Sequence, residues 1–203
     1  ALDRFRATCG ACYTDVVFYN HPETRTMFQL AEDSYRHRED SGVSPDALRL
    51  LVRPGGAGMV ICLSSCMGRR DLMQQLGGFD PTLLYSQDSE FMFRLAMKTG
   101  FCYANRPLVK FDRSPAEIRH VGVSMDWNRL DFFLQDSQLR LEGLLRLTEN
   151  QPKPVRNLIR RQLGGVHSGW VNCLLQAGDT EKARSSARRA AQLDPTWNYI
   201  AKW

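Results

Sequence analysis

No apolar run in these 203 residues approaches the roughly 20 that a helix needs to cross a bilayer; the longest, around Met59 to Leu63, has only the length of a strand. A helical membrane span is therefore excluded. The start of the chain also lacks a charged stretch followed by an apolar core, and its first residue is Ala1, so the sequence reads as an internal piece of a longer chain. The six cysteines lack the regular spacing of a disulfide framework. Cys62, Cys66 and Cys102 sit in apolar strand-like or loop sequence, which favours a reducing, cytoplasmic setting. There is no stripe of interleaved aromatic and basic residues, so nucleic acid is not an expected partner.

What is present suits a globular chain. A hydrophobic content of 43% is enough for a core, and the length suggests one domain with an appendage. The 27 Lys and Arg against 22 Asp and Glu give a charge of +5, which suits phosphate-bearing ligands, anionic headgroups or nucleic acid equally well.

Pattern and punctuation divide the chain further. Leu2 to Thr8 reads as the end of a helix, and Ala11 to Tyr19, rich in aromatic and β-branched residues, as a strand. Ala31 to Ser44 has no period and is expected to be a surface loop with one short helix, followed by helical sequence from Asp46 to Val52. After the breaker Pro54 to Gly58, Met59 to Leu63 is predicted as a strand and Arg70 to Leu76 as a helix stopped by Gly77-Gly78. Phe91, Met92, Leu95 and Ala96 give Glu90 to Lys98 one apolar helical face, with Asp88 at its N-terminal edge. Two short strands, Phe101 to Ala104 and Leu108 to Phe111, are predicted around Pro107, then an irregular segment from Ser114 to Ser124, then helices.

Taken in order, Ser64-Ser-Cys-Met-Gly-Arg-Arg70, Gly77-Gly-Phe-Asp80, Gln87-Asp-Ser-Glu-Phe91, Arg94-Leu95 and His120 resemble the acceptor-side half of a family 2 inverting glycosyltransferase, over residues 11 to 125. The resemblance implies an α/β architecture: a partial GT-A fold lacking its N-terminal nucleotide-binding half, over residues 1–125, followed by an α-helical region over 126–203. It implies hexosyltransferase-like transfer of a sugar from a nucleotide-sugar donor to a saccharide or lipid-linked acceptor. Asp88 takes the place of the general base, because inverting transfer needs one group to accept the acceptor hydroxyl proton while that oxygen attacks the anomeric carbon. The other reading of Asp88 is a helix cap, which Asp often provides.

The same resemblance places Gly77, Gly78, Phe79, Asp80, Gln87 and Glu90 at the acceptor, with glycines where substrate approaches the backbone. Gln87 stands where the family usually has an acid, which removes a charge. Ser64, Ser65, Arg94 and Arg119 are implied at the donor, and Arg113 and Arg119 either meet pyrophosphate oxygens or are solvated on a polar loop. His120 is either a ligand for the divalent metal, Mn or Mg, of the complete enzyme or a surface histidine. Tyr13-Thr14-Asp15 resembles the strand after the family's Asp-x-Asp motif, but no Asp-x-Asp precedes it here.

Two further readings stay open. Cys9, Cys12, Cys62 and Cys66 supply four thiolates of the kind that bind zinc. Gly169 to Asp179, followed by Ala183, Ala187, Ala190 and Leu193-Asp-Pro195, resembles one tetratricopeptide-like hairpin within about 164–203, serving as a helical cap or as part of a peptide-binding array. Arg184, Arg188 and Arg189 would then face solvent or lipid headgroups, which fits peripheral association with the inner face of a membrane. A functional alternative is a non-catalytic scaffold derived from a glycosyltransferase.

Overall fold

The structure, a computed structural model, describes residues 3–19, 26–30, 37, 39–44, 46–51, 61–112 and 130–195. The chain divides into two compact units, residues 1–51, 59–79 and 88–124 in one and 52–58, 80–87 and 125–203 in the other. The architecture is mixed α/β, with a four-stranded mixed sheet and several helices.

The sheet belongs to the first unit. Strand β1 (Cys9–Tyr19) has the branched and aromatic residues that fit a pleated, buried surface, and it lies inside the order β2-β4-β1-β3. Strand β4 (Gly100–Asp112) runs parallel to it, while β2 (Ser41–Val43) is antiparallel to β4 and β3 (Cys66–Gly68) antiparallel to β1. Helix α1 (Met27–Leu30) follows β1, and α2 (Ala47–Leu51) follows β2. Tyr13, Val16, Phe101 and Cys102 are buried along the central pair, so this pair is the hydrophobic centre of the unit.

Four local expectations need correction. Asp3 to Thr8 form hydrogen-bonded turns rather than a helix end, with the Thr8 and Cys9 amides both donating to the Phe5 carbonyl. The loop predicted from Ala31 to Ser44 contains β2, where Gly42 lets the Tyr103 ring approach: a Cβ there would lie 2.7 Å from the Tyr103 hydroxyl. The strand predicted at Met59 to Leu63 does not extend to its C-terminal residues, since Leu63–Ser65 is a 3-10 turn and β3 begins only at Cys66. The Ser65 hydroxyl closes that turn by donating to the Cys62 carbonyl at 3.0 Å. Met59 and Val60 lie outside the described residues.

The fourth correction concerns β4, which is one strand and not two. Thr14 pairs with Ala104 but Asp15 pairs with Pro107, leaving Asn105 and Arg106 without counterparts on β1. A bulge absorbs the extra residues, and Pro107, having no amide to donate, is tolerated beside it. The Thr14 hydroxyl donates to the Arg106 carbonyl across the bulge.

Helix α3 (Arg70–Gln75) ends where the glycine pair predicts, and α4 (Gln87–Lys98) buries Phe91, Met92, Phe93 and Leu95. Truncating one such phenylalanine to alanine costs about 3–5 kcal/mol.

The second unit contains helices α5 (Leu130–Leu147), α6 (Lys153–Gln176) and α7 (Thr180–Leu193). Leu134, Leu141 and Leu144 of α5 are buried at near-helical spacing. Close approach relies on small residues: a Cβ on Gly169 would meet Leu134 at 2.6 Å, and one on Gly164 the Ala190 carbonyl at 3.3 Å. Gly178, at φ 79°, turns the chain between α6 and α7, and Asp179 caps α7 by accepting from the Lys182 amide at 3.0 Å. Ala183 and Ala190 are buried at the packed face of α7. No described helix is long and apolar enough to cross a membrane.

Candidate functional site

The apolar pattern places the start of α4 at Glu90, but the helix begins at Gln87, so Asp88 occupies its first turn rather than the position before it. Negative side chains are favoured there by the exposed amides and the helix dipole. Asp88 is half-buried; its Oδ1 accepts from the Ser89 amide at 2.6 Å and the Ser89 hydroxyl at 3.2 Å. Its Oδ2 has no hydrogen-bond partner among the described residues. An N-cap accepts from the amide two or three residues further on, so this geometry is not that of a cap.

The neighbouring turn is held by an ion pair. Glu90 and Arg94, four residues apart on α4, lie 2.6 Å apart with side-chain exposures of 8% and 16%. The guanidinium reaches further, donating through Nη1 to the Leu76 carbonyl at 2.6 Å and through Nη2 to the Gly78 carbonyl at 2.7 Å. Its fork therefore ties the end of α3 and the glycine turn to α4. Gly77 and Gly78 adopt φ of 76° and 79°, and a Cβ on either would meet no atom within 4 Å. The glycines thus serve backbone conformation and leave open space beside the turn.

Phe79 completes this group. Its ring lies 5.0 Å from that of Phe91, yet half of the residue remains exposed. Asp88, Phe91 and Leu95 are spaced i, i+3 and i+7, so one helical stripe runs from the core residues out to the Asp88 carboxylate.

The structure thus brings Gly77, Gly78, Phe79, Glu90 and Arg94 together beside α4, with Glu90 and Arg94 bonded to the chain itself. Ser64 is exposed on the 3-10 turn, which packs against β1 and β4, while Ser65 is buried with its hydroxyl on Cys62. In the second unit, Asp80 folds back to accept from the Thr82 amide and hydroxyl at 2.9 and 2.7 Å. Gln87 has a buried Oε1 with no hydrogen-bond partner among the described residues. His120, Arg113 and Arg119 lie outside the described residues.

Sequence reasoning missed Asp136. This α5 carboxylate, 5% exposed, accepts from the Leu84 amide at 2.6 Å and the Ser86 amide at 2.8 Å, and also from the Ser86 hydroxyl. It fixes the segment just before α4 from a point fifty residues away in the chain.

Among the described residues no group of three His, Cys, Asp or Glu side chains could hold a metal ion, the four thiols considered for zinc included. Burial pushes the Cys66 thiol up to about 12 and raises Cys102 likewise, the chemistry of inert buried cysteines. Comparison with known proteins finds no family model, no curated protein and no solved structure that matches the chain.

Proposed function

We propose that the chain is the acceptor-side half of an inverting glycosyltransferase of partial GT-A fold, with Asp88 as general base. The acceptor hydroxyl attacks the anomeric carbon of a nucleotide sugar, its proton passes to Asp88 Oδ2, and the nucleoside diphosphate leaves with its bonding pair. One observation carries this reading: the Asp88 carboxylate is fixed through Oδ1 and open at Oδ2, in the first turn of a helix anchored in the core. The open glycine turn and the half-exposed Phe79 ring support it as a surface on which a sugar could rest.

The described residues offer no ligand set for the Mn or Mg expected in the complete enzyme, with His120 as its candidate ligand, and the step above uses only Asp88. The acceptor is a saccharide or a lipid-linked sugar. The exposed Arg184, Arg188 and Arg189 of α7 suit peripheral contact with anionic headgroups at a cytoplasmic membrane face.

A non-catalytic scaffold is the second reading, favoured by Gln87, whose Oε1 is buried where an acceptor-binding acid would be expected. Nucleoside diphosphate release from the whole gene product, with a panel of nucleotide sugars, separates the two. Asp88→Asn is expected to lower release by at least about 100-fold, the scale of a lost general base. No release from any donor favours the scaffold, and release unaffected by the substitution overturns Asp88 as the base.

A further inference from the structure

The bulge between β1 and β4 opens a cavity of about 360 Å³ lined by Asp15, Thr26, Phe28, His37, Asn105 and Pro107 among others. Its volume falls in the range of roughly 300–1,000 Å³ typical of small-molecule sites. At its base is Asp15, 4% exposed, whose Oδ1 accepts from the Val16 amide at 2.8 Å and the Phe28 amide at 2.9 Å. Its Oδ2 has no partner among the described residues, and no described cation pairs with it. A carboxylate this little exposed, with one oxygen unpaired and reachable from a cleft that opens to solvent, favours a positively charged occupant.

The walls narrow the choice. The His37 ring stacks on Tyr103 at 3.5 Å and 7°, packs edge-on to Phe28 at 5.2 Å, and shares a hydrogen bond of 2.7 Å with the Tyr13 hydroxyl. Asn105 donates to the His37 carbonyl at 3.1 Å, leaving its own amide oxygen as an acceptor. Among the described residues no Lys or Arg lines the cavity, so an anion would meet only a carboxylate there. A metal ion would find no third ligand among the described residues. Aromatic faces beside a carboxylate are the surroundings that an organic cation prefers. Burial lowers the pKa of His37 to about 4, so at neutral pH the imidazole brings no competing positive charge.

We propose that this cavity binds a small organic cation, an ammonium or guanidinium group held by Asp15 Oδ2 and the Asn105 amide oxygen against the Phe28 ring. The site is independent of the glycosyl-transfer reading.

The test is a 15N-resolved NMR titration of the protein with benzylamine and with benzyl alcohol, its uncharged analogue of the same shape. Benzylamine is expected to shift the Asp15, Val16, Phe28 and Asn105 amides and to bind at least tenfold more tightly than the alcohol. Asp15→Asn, which keeps an acceptor for the two backbone amides, should abolish that preference, and Asn105→Asp, which adds a second carboxylate, should increase it. Equal binding of the two probes, no binding of benzylamine, or a folded Asp15→Asn variant that keeps the preference overturns the proposal. Where Asp15→Asn does not fold, the wild-type comparison and Asn105→Asp decide alone.

Discussion

Removing the Arg94 guanidinium should cost far more than its place in an i,i+4 pair suggests. Exposed pairs of that spacing contribute about 0.3–0.5 kcal/mol. Here Glu90 and Arg94 are 8% and 16% exposed, and Arg94→Ala strands a buried carboxylate while releasing the Leu76 and Gly78 carbonyls from the guanidinium fork. Breaking such a pair from one side costs about 3–5 kcal/mol, most of it the uncompensated Glu90 charge. Glu90→Gln, which keeps an acceptor and removes the charge, should cost about 1–2 kcal/mol. The double variant should fall well short of the sum, with a coupling of about 2 kcal/mol, because each substitution removes the reason the other is harmful. Urea unfolding followed by far-ultraviolet circular dichroism gives the energies, and amide exchange at Gly77 to Phe79 tests whether the turn loosens first. An Arg94→Ala cost below about 1 kcal/mol, or strict additivity, would show that the pair does not hold the turn.

Other perturbations follow from the same packing. Asp136→Ala leaves the Leu84 and Ser86 amides and the Ser86 hydroxyl without their acceptor, so a loss of about 3 kcal/mol is expected in urea unfolding; a loss under 1 kcal/mol would mean that water replaces it. Gly77→Ala meets open space but forces φ of 76° on an alanine, predicting a loss of about 1 kcal/mol with no change in core packing. An unchanged midpoint would argue against the left-handed turn. For His37, burial lowers the folded-state pKa from 6.5 to about 4, so its contribution is complete above pH 6.5 and is lost as pH falls toward 4. Because the ring is only partly buried, wild type should lose about 1–2 kcal/mol more than His37→Phe between pH 7 and pH 4. Parallel pH dependence in the two proteins would refute a buried, neutral His37.

What the sequence revealed and concealed divides by range of interaction. The strand from Ala11 to Tyr19, the helix at Arg70 with its glycine stop, and the amphipathic α4 all follow from local pattern, and each is found. The unforeseen parts depend on distant residues. Strand β2 has three residues, too few for any period, and exists because Gly42 can lie against Tyr103. The early start of α4 follows a segment held by Asp136, and the bulge at Asn105 is visible only once β1 lies alongside β4. At the candidate site, it was the family resemblance, not local pattern, that singled out Asp88, Glu90 and Arg94. It could not show that the last two bind each other and the backbone, nor that His37 is stacked over a cavity that also holds Asp15.

The carboxylates of the described chain separate into two groups by how completely they are used. Glu90 is matched by both sides of an arginine fork, Asp136 by three donors, and Asp194 lies 3.9 Å from Arg161. Each is buried, and its partners come from this chain, as the cost of a bare buried charge requires. Asp88 and Asp15 differ from these in the same way: one oxygen is fixed by local donors and the other has no described partner. Asp88 is half-exposed, so water can satisfy its free oxygen at little cost, and a base that exchanges protons with an incoming hydroxyl needs that access. Asp15 is 4% exposed and lines a cleft partly open to solvent, where a positive occupant offsets the carboxylate charge better than water alone. The same half-used geometry therefore fits the proposed proton transfer at one site and the proposed ligand retention at the other, and the degree of burial separates them.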